Sequence, residues 1–428
     1  MEAHPVLSSV HALPRPVALD LSPVEVAARC RALGGLVFFD SATETGEALS
    51  IVAAQPVEML RGRLDRDFAA LREAVAARQV DAGVDCGLPA GFAAGWVEYE
   101  GAFCFGVYEH ALIFRHGDQT WHEVGELWSK VEGRRSKAET ACAPPEFAAA
   151  MTREEYCRRV ARAQDYIAAG DIYQVNLTHR FAAPWLGDAF DFYGSLRDYS
   201  PAPFAAFLEL DARAVLSTSP ESFLKMSGRA IRTRPIKGTR PRRADPKADE
   251  KSAYDLLTSP KEIAELIMIT DLERSDLGRV CEYGSVTVPE LLKLERYEQV
   301  FHLVSTVEGR LREEVDHVSA LRECFPGGSI TGAPKKRARE IIAELESEPR
   351  GLYTGALGWF GFNGESQFNI AIRTLVVEDG VAHFHVGSGI VADSVPEHEW
   401  QETLDKAAGI LLAAERHAPE RAYSSKNP

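Results

Sequence analysis

The chain has 428 residues, of which 45% are hydrophobic and 26% charged, and its formal net charge is −15 at pH 7. This balance is typical of a folded globular protein, and the length allows one large domain or two to three ordinary ones. The acidic charge argues against nucleic acid and acidic membranes as partners, because both require a basic surface. No run approaches 18 apolar residues and the N-terminus lacks a signal-peptide pattern, so we predict a cytoplasmic protein without a membrane span.

The cysteines are scattered, and none forms a CxxC pair. This spacing favours unpaired thiols in a reducing cytosol over a disulfide framework or a zinc site. The seven positions are Cys30, Cys86, Cys104, Cys142, Cys157, Cys281 and Cys324.

A polar segment ending in Pro-Pro, residues 129–147, reads as a linker between an N-terminal region (1–140) and a second region (148–416). A helix should follow it directly. Thr152 is a suitable N-cap, Glu155 would complete a capping box, and Gly170 would end the helix.

Strands dominate the second region, and helices are predicted at 260–273, 334–348 and 396–416. The turn EDG at 378–380 joins two strands as a hairpin, which requires antiparallel pairing. The sequence therefore predicts an α+β fold with large antiparallel sheets and argues against a doubly wound parallel sheet. The predicted strand segments are 171–181, 204–219, 297–311, 366–380 and 380–392.

Two glycine-rich or histidine-rich patterns carry little functional weight. The loop with Gly327 and Gly332 lacks the Lys-Ser/Thr of a P-loop, although Pro334 would begin a helix with an anion-friendly N-terminus. His383 and His385 alternate on one strand face, and we favour a solvated face over half of a metal site. No nucleophile-elbow motif occurs, so no glutaminase or hydrolase centre is predicted.

Cations concentrate in RTRPIKGTRPRR, residues 232–243. Lys237 lies at a strand-to-turn junction, where either a solvated lysine or a functional one is reasonable. Arg373 lies among apolar residues in a segment predicted to be a central strand. Because arginine keeps its charge, its partner must be an anion, either a structural carboxylate or a substrate carboxylate.

Two predicted helices carry carboxylates beside apolar residues. Ser259 and Glu262 form a predicted capping box, whereas Glu265 needs a partner or a metal. On the last helix, an acidic and basic stripe is either an exposed salt-bridged face or half of a Mg²⁺ site shared with Glu265. The stripe consists of Glu399, Glu402 and Lys406.

Eight motifs, in unbroken order over roughly residues 150–410, resemble the chorismate-utilising enzymes. That family's fold is a layered α/β/β/α sandwich. Residues 36–44 (LVFFDSATE) resemble its N-terminal segment more loosely. The motifs are GDIYQVNLT (170–178), STSPESF (217–223), RPIKGTRPR (234–242), ELIMITDLERSDLGRV (265–280), FHLVSTVEG (301–309), FPGGSITGAPKKRAREII (325–342), GWFGFNGESQFNIAIRT (358–374) and VGSGIVADSVPEHEWQETLDKA (386–407).

Two positions indicate a branch of the family. Gln174 resembles the ammonia-using members, since water-using members carry lysine there, and Lys237 resembles the aminodeoxychorismate synthases, since anthranilate synthases carry alanine. The resemblance implies amination of chorismate at ring position 4, for p-aminobenzoate and folate synthesis. The alternatives are 2-amination, as in anthranilate synthases, and a non-catalytic regulator that binds chorismate or tryptophan.

The resemblance also implies roles for residues. Lys237 would be the nucleophile, Glu221 the general acid and His302 an aid to proton transfer; Glu265 and Glu402, with Glu399 through water, would hold Mg²⁺. Ser41, Pro203 and Phe204 match the tryptophan site of some relatives. The implied substrate-binding residues are Gln174, Gly238, Thr239, Tyr353, Arg373, Gly387, Ser388, Gly389 and Lys406.

The implied reaction explains a lysine at position 237. Replacing the 4-hydroxyl with retention requires two displacements: Lys237 first attacks position 2 as the 4-hydroxyl leaves, and ammonia then attacks position 4 and expels Lys237 from position 2. The attacking amine must be neutral, whereas a model lysine has a pKa of about 10.4, so we expect burial and Arg234, Arg240 or Arg242 to lower it. We expect a separate glutamine amidotransferase subunit to supply the ammonia and another protein to complete p-aminobenzoate.

Overall fold

The computed structural model describes residues 13–41, 48–80, 87–133, 144–297 and 300–417. No helix within these ranges is long and apolar enough to cross a membrane. Cys86 and Cys142 lie outside the described residues, as does part of the predicted linker. Residues 42–44 of the segment 36–44 and residues 298–299 of the segment 297–311 also lie outside them. The other five cysteines are free thiols.

The described strands, in chain order, are β1 (Arg15–Val17), β2 (Val37–Asp40), β3 (Leu49–Ala53), β4 (Glu58–Arg63), β5 (Phe92–Val97), β6 (Ala102–Tyr108), β7 (Ala111–Arg115), β8 (Thr120–Val124), β9 (Ala148–Ala149), β10 (Gln174–Pro184), β11 (Phe204–Leu210), β12 (Arg213–Ser219), β13 (Ser222–Ser227), β14 (Ala230–Arg234), β15 (Ile236–Pro241), β16 (Thr287–Arg296), β17 (Val300–Arg310), β18 (Gly332–Ala333), β19 (Ala356–Gly361), β20 (Glu365–Ile370), β21 (Thr374–Glu378) and β22 (Val381–Ile390).

The described helices are α1 (Pro23–Cys30), α2 (Phe68–Ala76), α3 (Trp128–Val131), α4 (Arg153–Ala168), α5 (Ala189–Tyr199), α6 (Pro246–Leu257), α7 (Pro260–Gly278), α8 (His317–Cys324), α9 (Lys335–Leu345) and α10 (Pro396–Arg416), with a short 3-10 turn at Arg31–Leu33.

The strands form two antiparallel sheets. The first has the order β1-β8-β7-β3-β2-β11-β12-β21-β22-β10-β18, with β9 also paired to β10; the second has the order β15-β17-β14-β13-β20-β19-β5-β6-β4, with β16 also paired to β17. A buried cluster with Val37 and Ile113 from the first sheet and Trp96 and Trp359 from the second fills the space between them. The two sheets are therefore packed face to face.

Helices cover the outer faces of both sheets. Helices α1, α5 and α10 pack on the first sheet through a cluster containing Val26, Tyr193 and Ile410. On the second sheet, α2 and α8 contribute Leu71 and Leu321 to a cluster with Phe105 and Phe368, whereas α4 and α9 contact β10 of the first sheet. This layering confirms the predicted α+β fold and α/β/β/α arrangement.

Strands from before and after the predicted linker share both sheets. In the first sheet β2 pairs with β11, and in the second β5 pairs with β19. The division into regions 1–140 and 148–416 stays a prediction, because strand pairing across the linker does not define where a region begins or ends along the chain.

Two predicted capping boxes are half formed. The Thr152 hydroxyl accepts a hydrogen bond from the Glu155 backbone N–H at 3.2 Å, but the Glu155 carboxylate pairs with Arg159. Likewise, Glu262 pairs with Arg240 at 3.3 Å instead of returning to its cap. The prediction of full capping boxes was wrong because arginines compete for both carboxylates.

The predicted strand 366–380 is in fact two strands in different sheets. β20 belongs to the second sheet and β21 to the first, and residues 371–373 connect them. The predicted central-strand position of Arg373 is therefore wrong, since this residue lies at the crossing with φ 49°. The EDG turn does join β21 to β22 as predicted, with Glu378 opposite Val381.

Candidate active site

A cavity of about 490 Å³ opens between β15, β17, β22 and the helices α7 and α10. Most of the residues that the sequence singled out meet there, although they come from positions almost 190 residues apart. The predicted residues lining it are Glu221, Lys237, Gly238, Thr239, Glu265, His302, Tyr353, Arg373, Gly387, Gly389, Glu402 and Lys406. Gln174, Ser388 and Glu399 were also predicted but do not line the cavity.

Lys237 projects from β15 at a local irregularity of the sheet. The register with β17 shifts between Lys237 and Thr239, and Gly238 adopts φ 74°. A Cβ on Gly238 would lie 2.6 Å from Leu256, so glycine suits both the backbone and the space. The Lys237 ammonium donates a hydrogen bond to the Ser329 carbonyl oxygen at 3.1 Å, which fixes the amine in the cavity.

The three arginines near Lys237 in the sequence all form ion pairs. Each is engaged by a carboxylate: Arg234 by Glu295, Arg240 by Glu262 and Arg242 by Asp249. The charges that interact with Lys237 are the carboxylates Glu221, Glu265 and Glu402. Arg234 ends β14, Arg240 lies on β15 and Arg242 follows it, so their carboxylate partners come from different neighbouring elements. The expected influence of these arginines on the Lys237 amine stays a prediction.

Glu221 is buried where β12 leads into β13, with 6% of its surface exposed. Burial raises the pKa of this carboxyl, although a hydrogen bond from Ser329 and the charge of Lys237 oppose the shift. Its backbone is held by the Ile370 N–H at 3.1 Å. A buried carboxyl whose pKa is raised, beside an amine, is suited to donate a proton to a leaving group.

His302, on β17, is also buried and lines the cavity. Burial, reinforced by the charge of Arg373, lowers the pKa of this imidazole to about 4. The ring is therefore neutral at pH 7, and its Nδ1 lies 3.0 Å from the Thr239 hydroxyl. Which of the two atoms donates depends on the tautomer.

Arg373 lines the cavity with a guanidinium that pairs with no carboxylate in the described part of the chain. Burial lowers the pKa of this group, and no acidic neighbour is present to offset the effect. Its carbonyl oxygen accepts a hydrogen bond from the Thr218 N–H at 3.0 Å, which holds the backbone. Of the two partners considered, a structural carboxylate is excluded among the described residues, and an anionic ligand fits.

Tyr353 is buried at the cavity wall and stacks on His385, with ring centroids 5.5 Å apart and planes 22° apart. His385 is 6% exposed, so the predicted solvated face was wrong for this residue. Burial lowers the pKa of His385 to about 3, which keeps the ring neutral. His383 lies beyond it, 3.2 Å from Glu378, and the described residues contain no cluster of three metal-ligating side chains.

Gly387 and Gly389 face the cavity from β22, whereas the intervening Ser388 points the other way. The Ser388 hydroxyl lies 2.9 Å from the Tyr156 hydroxyl in the core, so any contact of Ser388 with a ligand would be through its backbone. A Cβ on Gly389 would lie 2.2 Å from the amide nitrogen of Gln174, so this buried glutamine packs against the face of β22 that a side chain at 389 would occupy.

Glu265 on α7 and Glu402 on α10 line the cavity, and Lys261 links Glu265 to the buried Glu399 of α10. Oε1 of Glu265 and Oε2 of Glu399 are buried and accept no hydrogen bond from any described residue. The Lys261 ammonium lies 3.9 Å from Glu265 and 3.6 Å from Glu399. Carboxylate oxygens without hydrogen bonds are the atoms that Mg²⁺ prefers as ligands, although no three acidic side chains of the described residues lie close enough together to enclose a metal ion.

The predicted stripe on α10 forms a salt bridge, and its part in a Mg²⁺ site stays a prediction. Lys406 and Glu402 form a salt bridge at 2.8 Å, and Lys406 also donates to the Gly387 carbonyl at 2.9 Å. Burial would raise the pKa of Glu402, but Lys406, Lys261 and other cations outweigh it and lower that pKa. By contrast, burial raises the pKa of Glu265 despite its nearby lysines. Glu402 is thus the carboxylate that is more readily ionised.

The residues matching a tryptophan site do meet, where the central strands β2 and β11 of the first sheet end. The Ser41 hydroxyl donates to the carbonyls of Leu49 at 3.1 Å and Pro203 at 3.3 Å. With Phe204 they line a cavity of about 30 Å³, which is room for a water molecule and not for an indole. Occupancy by tryptophan stays a prediction that this geometry does not favour.

Sequence reasoning missed three contributors to the site: Ser329, Lys261 and His385. Ser329 supplies both the carbonyl that holds Lys237 and the hydroxyl that bonds Glu221. Its position in the FPGGSITG loop was visible, but which atoms face the cavity depends on the packing of that loop. Lys261 had a sequence signal, since it lies four residues before Glu265 on a helix.

Arg373, which pairs with no carboxylate among the described residues, lines the same cavity as Glu265 and Glu402, and such a cavity is suited to receive an anion together with a cation. The class of protein defined by this cavity and by the layered fold is an enzyme for small anionic substrates. A family model described as "chorismate binding enzyme" matches residues 37–412, and the chain belongs to this family.

Similar proteins fall in two branches of the family. The chain is 43% identical to aminodeoxychorismate synthase component 1 of Bacillus subtilis over 297 residues, 68% of this chain and 63% of that protein. It is 48% identical to anthranilate synthase component 1 of Streptomyces coelicolor over 271 residues, 63% of this chain and 53% of that protein. The matched part thus spans less than two thirds of either relative.

Among solved structures, anthranilate synthase component I from Streptococcus pneumoniae superposes with a TM-score of 0.77 at 30% identity. The match covers 86% of this chain and 92% of that chain. The fold is therefore shared across almost the whole of both molecules.

Proposed function

We propose that this protein is an aminodeoxychorismate synthase that replaces the 4-hydroxyl of chorismate with ammonia, giving 4-amino-4-deoxychorismate. The observation that carries the proposal is the amine of Lys237, which is held inside the cavity by Ser329 and lies beside the buried carboxyl of Glu221. A nucleophile and an acid are thereby present at the same wall, as a covalent displacement requires.

In the first step the neutral Lys237 amine attacks C2 of the ring. The C1=C2 and C5=C6 double bonds shift to C1=C6 and C4=C5, and the C4–O bond breaks. Glu221 supplies the proton with which the hydroxyl leaves as water, which suits a buried carboxyl whose pKa is raised. The product of this step is a secondary ammonium between Lys237 and C2.

In the second step ammonia attacks C4, the double bonds return to C1=C2 and C5=C6, and the C2–N bond breaks to release the neutral Lys237 amine. The ionised Glu221 accepts the proton that the new ammonium group gives up. Two displacements give retention at C4, which a single direct displacement would not.

The rest of the cavity binds and orients the substrate. Arg373 and Tyr353 would hold the enolpyruvyl carboxylate, and the backbone N–H groups of 387–389 would approach the ring carboxylate closely because two of these residues are glycines. A divalent cation such as Mg²⁺ on Glu265 and Glu402, with Glu399 through water, would neutralise the ring carboxylate and withdraw electron density from the ring. The neutral His302 would relay a proton near the ring.

The ammonia would come from a separate glutamine amidotransferase subunit. The family includes this kind of two-component enzyme, as the component 1 names of the similar proteins suggest. The second candidate function is 2-amination to anthranilate, which the similar identity to anthranilate synthases supports. Lys237 favours 4-amination over it.

Product analysis by mass spectrometry and NMR, with chorismate, Mg²⁺ and ammonium, tests the proposal directly. We expect the 4-amino product from the unmodified protein, and from Lys237→Ala either no product or 2-amino chemistry. Lys251→Ala, on the exposed side of α6, is the matched control and should keep the 4-amino product. Undiminished 4-amination by Lys237→Ala would refute the covalent mechanism, and anthranilate from the unmodified protein would refute the assignment.

A further inference from the structure

Lys261 lies between the carboxylates of two helices. It is in the first turn of α7, and its ammonium is 3.9 Å from Glu265 on the same helix and 3.6 Å from Glu399 on α10. Both distances are longer than a charge-assisted hydrogen bond, so the ammonium balances the two charges without being locked to either.

The three groups differ in how freely they can move. The Glu399 side chain is 3% exposed, and its Oε1 accepts a hydrogen bond from Ser394 at 2.7 Å. The Glu265 side chain is 13% exposed, whereas the Lys261 side chain is 50% exposed. The four-carbon stem of lysine can swing into solvent at little cost, but the glutamates cannot leave the site.

The charges facing Lys261 are acidic on every side. Glu399, Glu265, Glu402 and Glu262 all act on its ammonium. The oxygen atoms Glu265 Oε1 and Glu399 Oε2 still accept no hydrogen bond from the described residues. One ammonium therefore neutralises only part of the negative charge of these four glutamates, and a divalent cation would neutralise more of it.

We propose that Lys261 is a displaceable internal counter-ion, which occupies the space between Glu265 and Glu399 in the metal-free protein and moves outward when a divalent cation binds. Because the cation must displace this ammonium, its affinity for the site is lowered. When no cation is present, the Lys261 ammonium reduces the repulsion between the buried carboxylates. This inference rests on the cation site of the proposed function and not on which ring carbon is aminated.

Calorimetric titration of the full-length protein with Mg²⁺, in the absence of chorismate, tests the proposal. Lys261→Met removes the charge but keeps the length of the stem, and it should tighten Mg²⁺ binding by about fivefold or more, the effect of one unit charge about 4 Å away even in water. Lys261→Arg keeps the charge and should bind Mg²⁺ no more tightly than the unmodified protein. Lys251→Met, which removes an equal charge from exposed α6, should change nothing.

The thermal midpoint supplies a second readout. Without divalent cation, Lys261→Met should unfold at a lower temperature than the unmodified protein, and saturating Mg²⁺ should raise its midpoint by more. Unchanged or weaker Mg²⁺ binding by Lys261→Met, or no Mg²⁺ binding by any of the proteins, would overturn the proposal. Because chorismate is absent, such a failure is distinguishable from a wrong reaction product.

Discussion

Ile370 and Thr374 pair with strands of different sheets, although three residues separate them. Ile370 lies opposite Ala356 in the second sheet, and Thr374 lies opposite Ser217 in the first. The crossing is fixed on both sides, since the Ala371 N–H donates to the Gly355 carbonyl at 2.9 Å and the Thr218 N–H donates to the Arg373 carbonyl at 3.0 Å. The chain thus presents the Arg373 side chain at the point where the two sheets meet, which is the wall of the cavity.

We predict that Arg373→Met separates binding from stability. It should lower kcat/KM for chorismate by about 30-fold to 1000-fold, because a buried charge contact with the substrate is lost. The free protein should become more stable by about 1–2 kcal/mol, because a buried guanidinium without an acid partner is removed. Steady-state kinetics and denaturant unfolding measure the two effects.

The matched control is Arg197→Met. Arg197 pairs at 2.5 Å with Asp40, whose side chain is fully buried, so its loss should destabilise the protein by about 3–5 kcal/mol. If both variants lose stability to the same degree, the argument that Arg373 is held for a ligand fails.

The sequence predicted the parts of the fold that depend on local pattern. Helix α10 spans 396–416 as predicted, and the EDG turn forms the expected hairpin. The split between β20 and β21 could not be predicted, because an apolar run of this length does not encode which sheet each half joins. The positive φ of Arg373 leaves no trace in the residue type either.

The sequence predicted which residues line the site better than it predicted their charge partners and burial. The family motifs indicated most of the residues that line the cavity. They did not indicate the pairing of Arg240 with Glu262, or the burial of His385 against Tyr353, because both depend on contacts between distant segments. Which carboxylate an arginine meets depends on how distant segments pack together. The charged groups around Lys237 could therefore not be predicted from the sequence.

Stability should depend on pH through Glu273, a buried carboxyl on α7. Its Oε1 accepts a hydrogen bond from the Gly328 N–H at 2.9 Å, in the loop that also carries Ser329. Burial, together with the charge of Asp276, raises the pKa of Glu273 to about 7, from 4.5 for an unperturbed glutamate. The folded protein therefore binds this proton more tightly than the unfolded chain, and stability should fall as pH rises from about 4.5 to about 7.

Glu273→Gln removes this titration while keeping the acceptor for Gly328. We expect the variant to match the unmodified protein near pH 4.5 and to be about 2–3 kcal/mol more stable at pH 8, as measured by denaturant unfolding at both pH values. Asp271→Asn, at an exposed position of the same helix, should leave the pH dependence unchanged. Equal pH profiles for Glu273→Gln and the unmodified protein would contradict the role assigned to burial.

Close contact between β10 and β22 should make Gly387 intolerant of any side chain. A Cβ at this position would lie 2.6 Å from the Leu177 carbonyl oxygen, a backbone atom that cannot move alone. Gly387→Ala must push the two strands apart, and the Gly387 carbonyl that accepts the Lys406 hydrogen bond would move with β22. We expect a loss of about 1–3 kcal/mol in the free energy of unfolding from the overpacking.

The same substitution should reduce activity through the displaced cavity wall, and kcat/KM for chorismate should fall at least tenfold, about 1.4 kcal/mol in transition-state binding. Gly194→Ala is the matched control, since no atom lies within 4 Å of its added Cβ and it is inside helix α5. That variant should keep full activity and gain up to about 1 kcal/mol, because alanine favours helix over glycine. The prediction would be contradicted if Gly387→Ala and Gly194→Ala had equal effects on unfolding and on kcat/KM. Such a result would show that β22 can accommodate a side chain at 387 without disturbing the cavity.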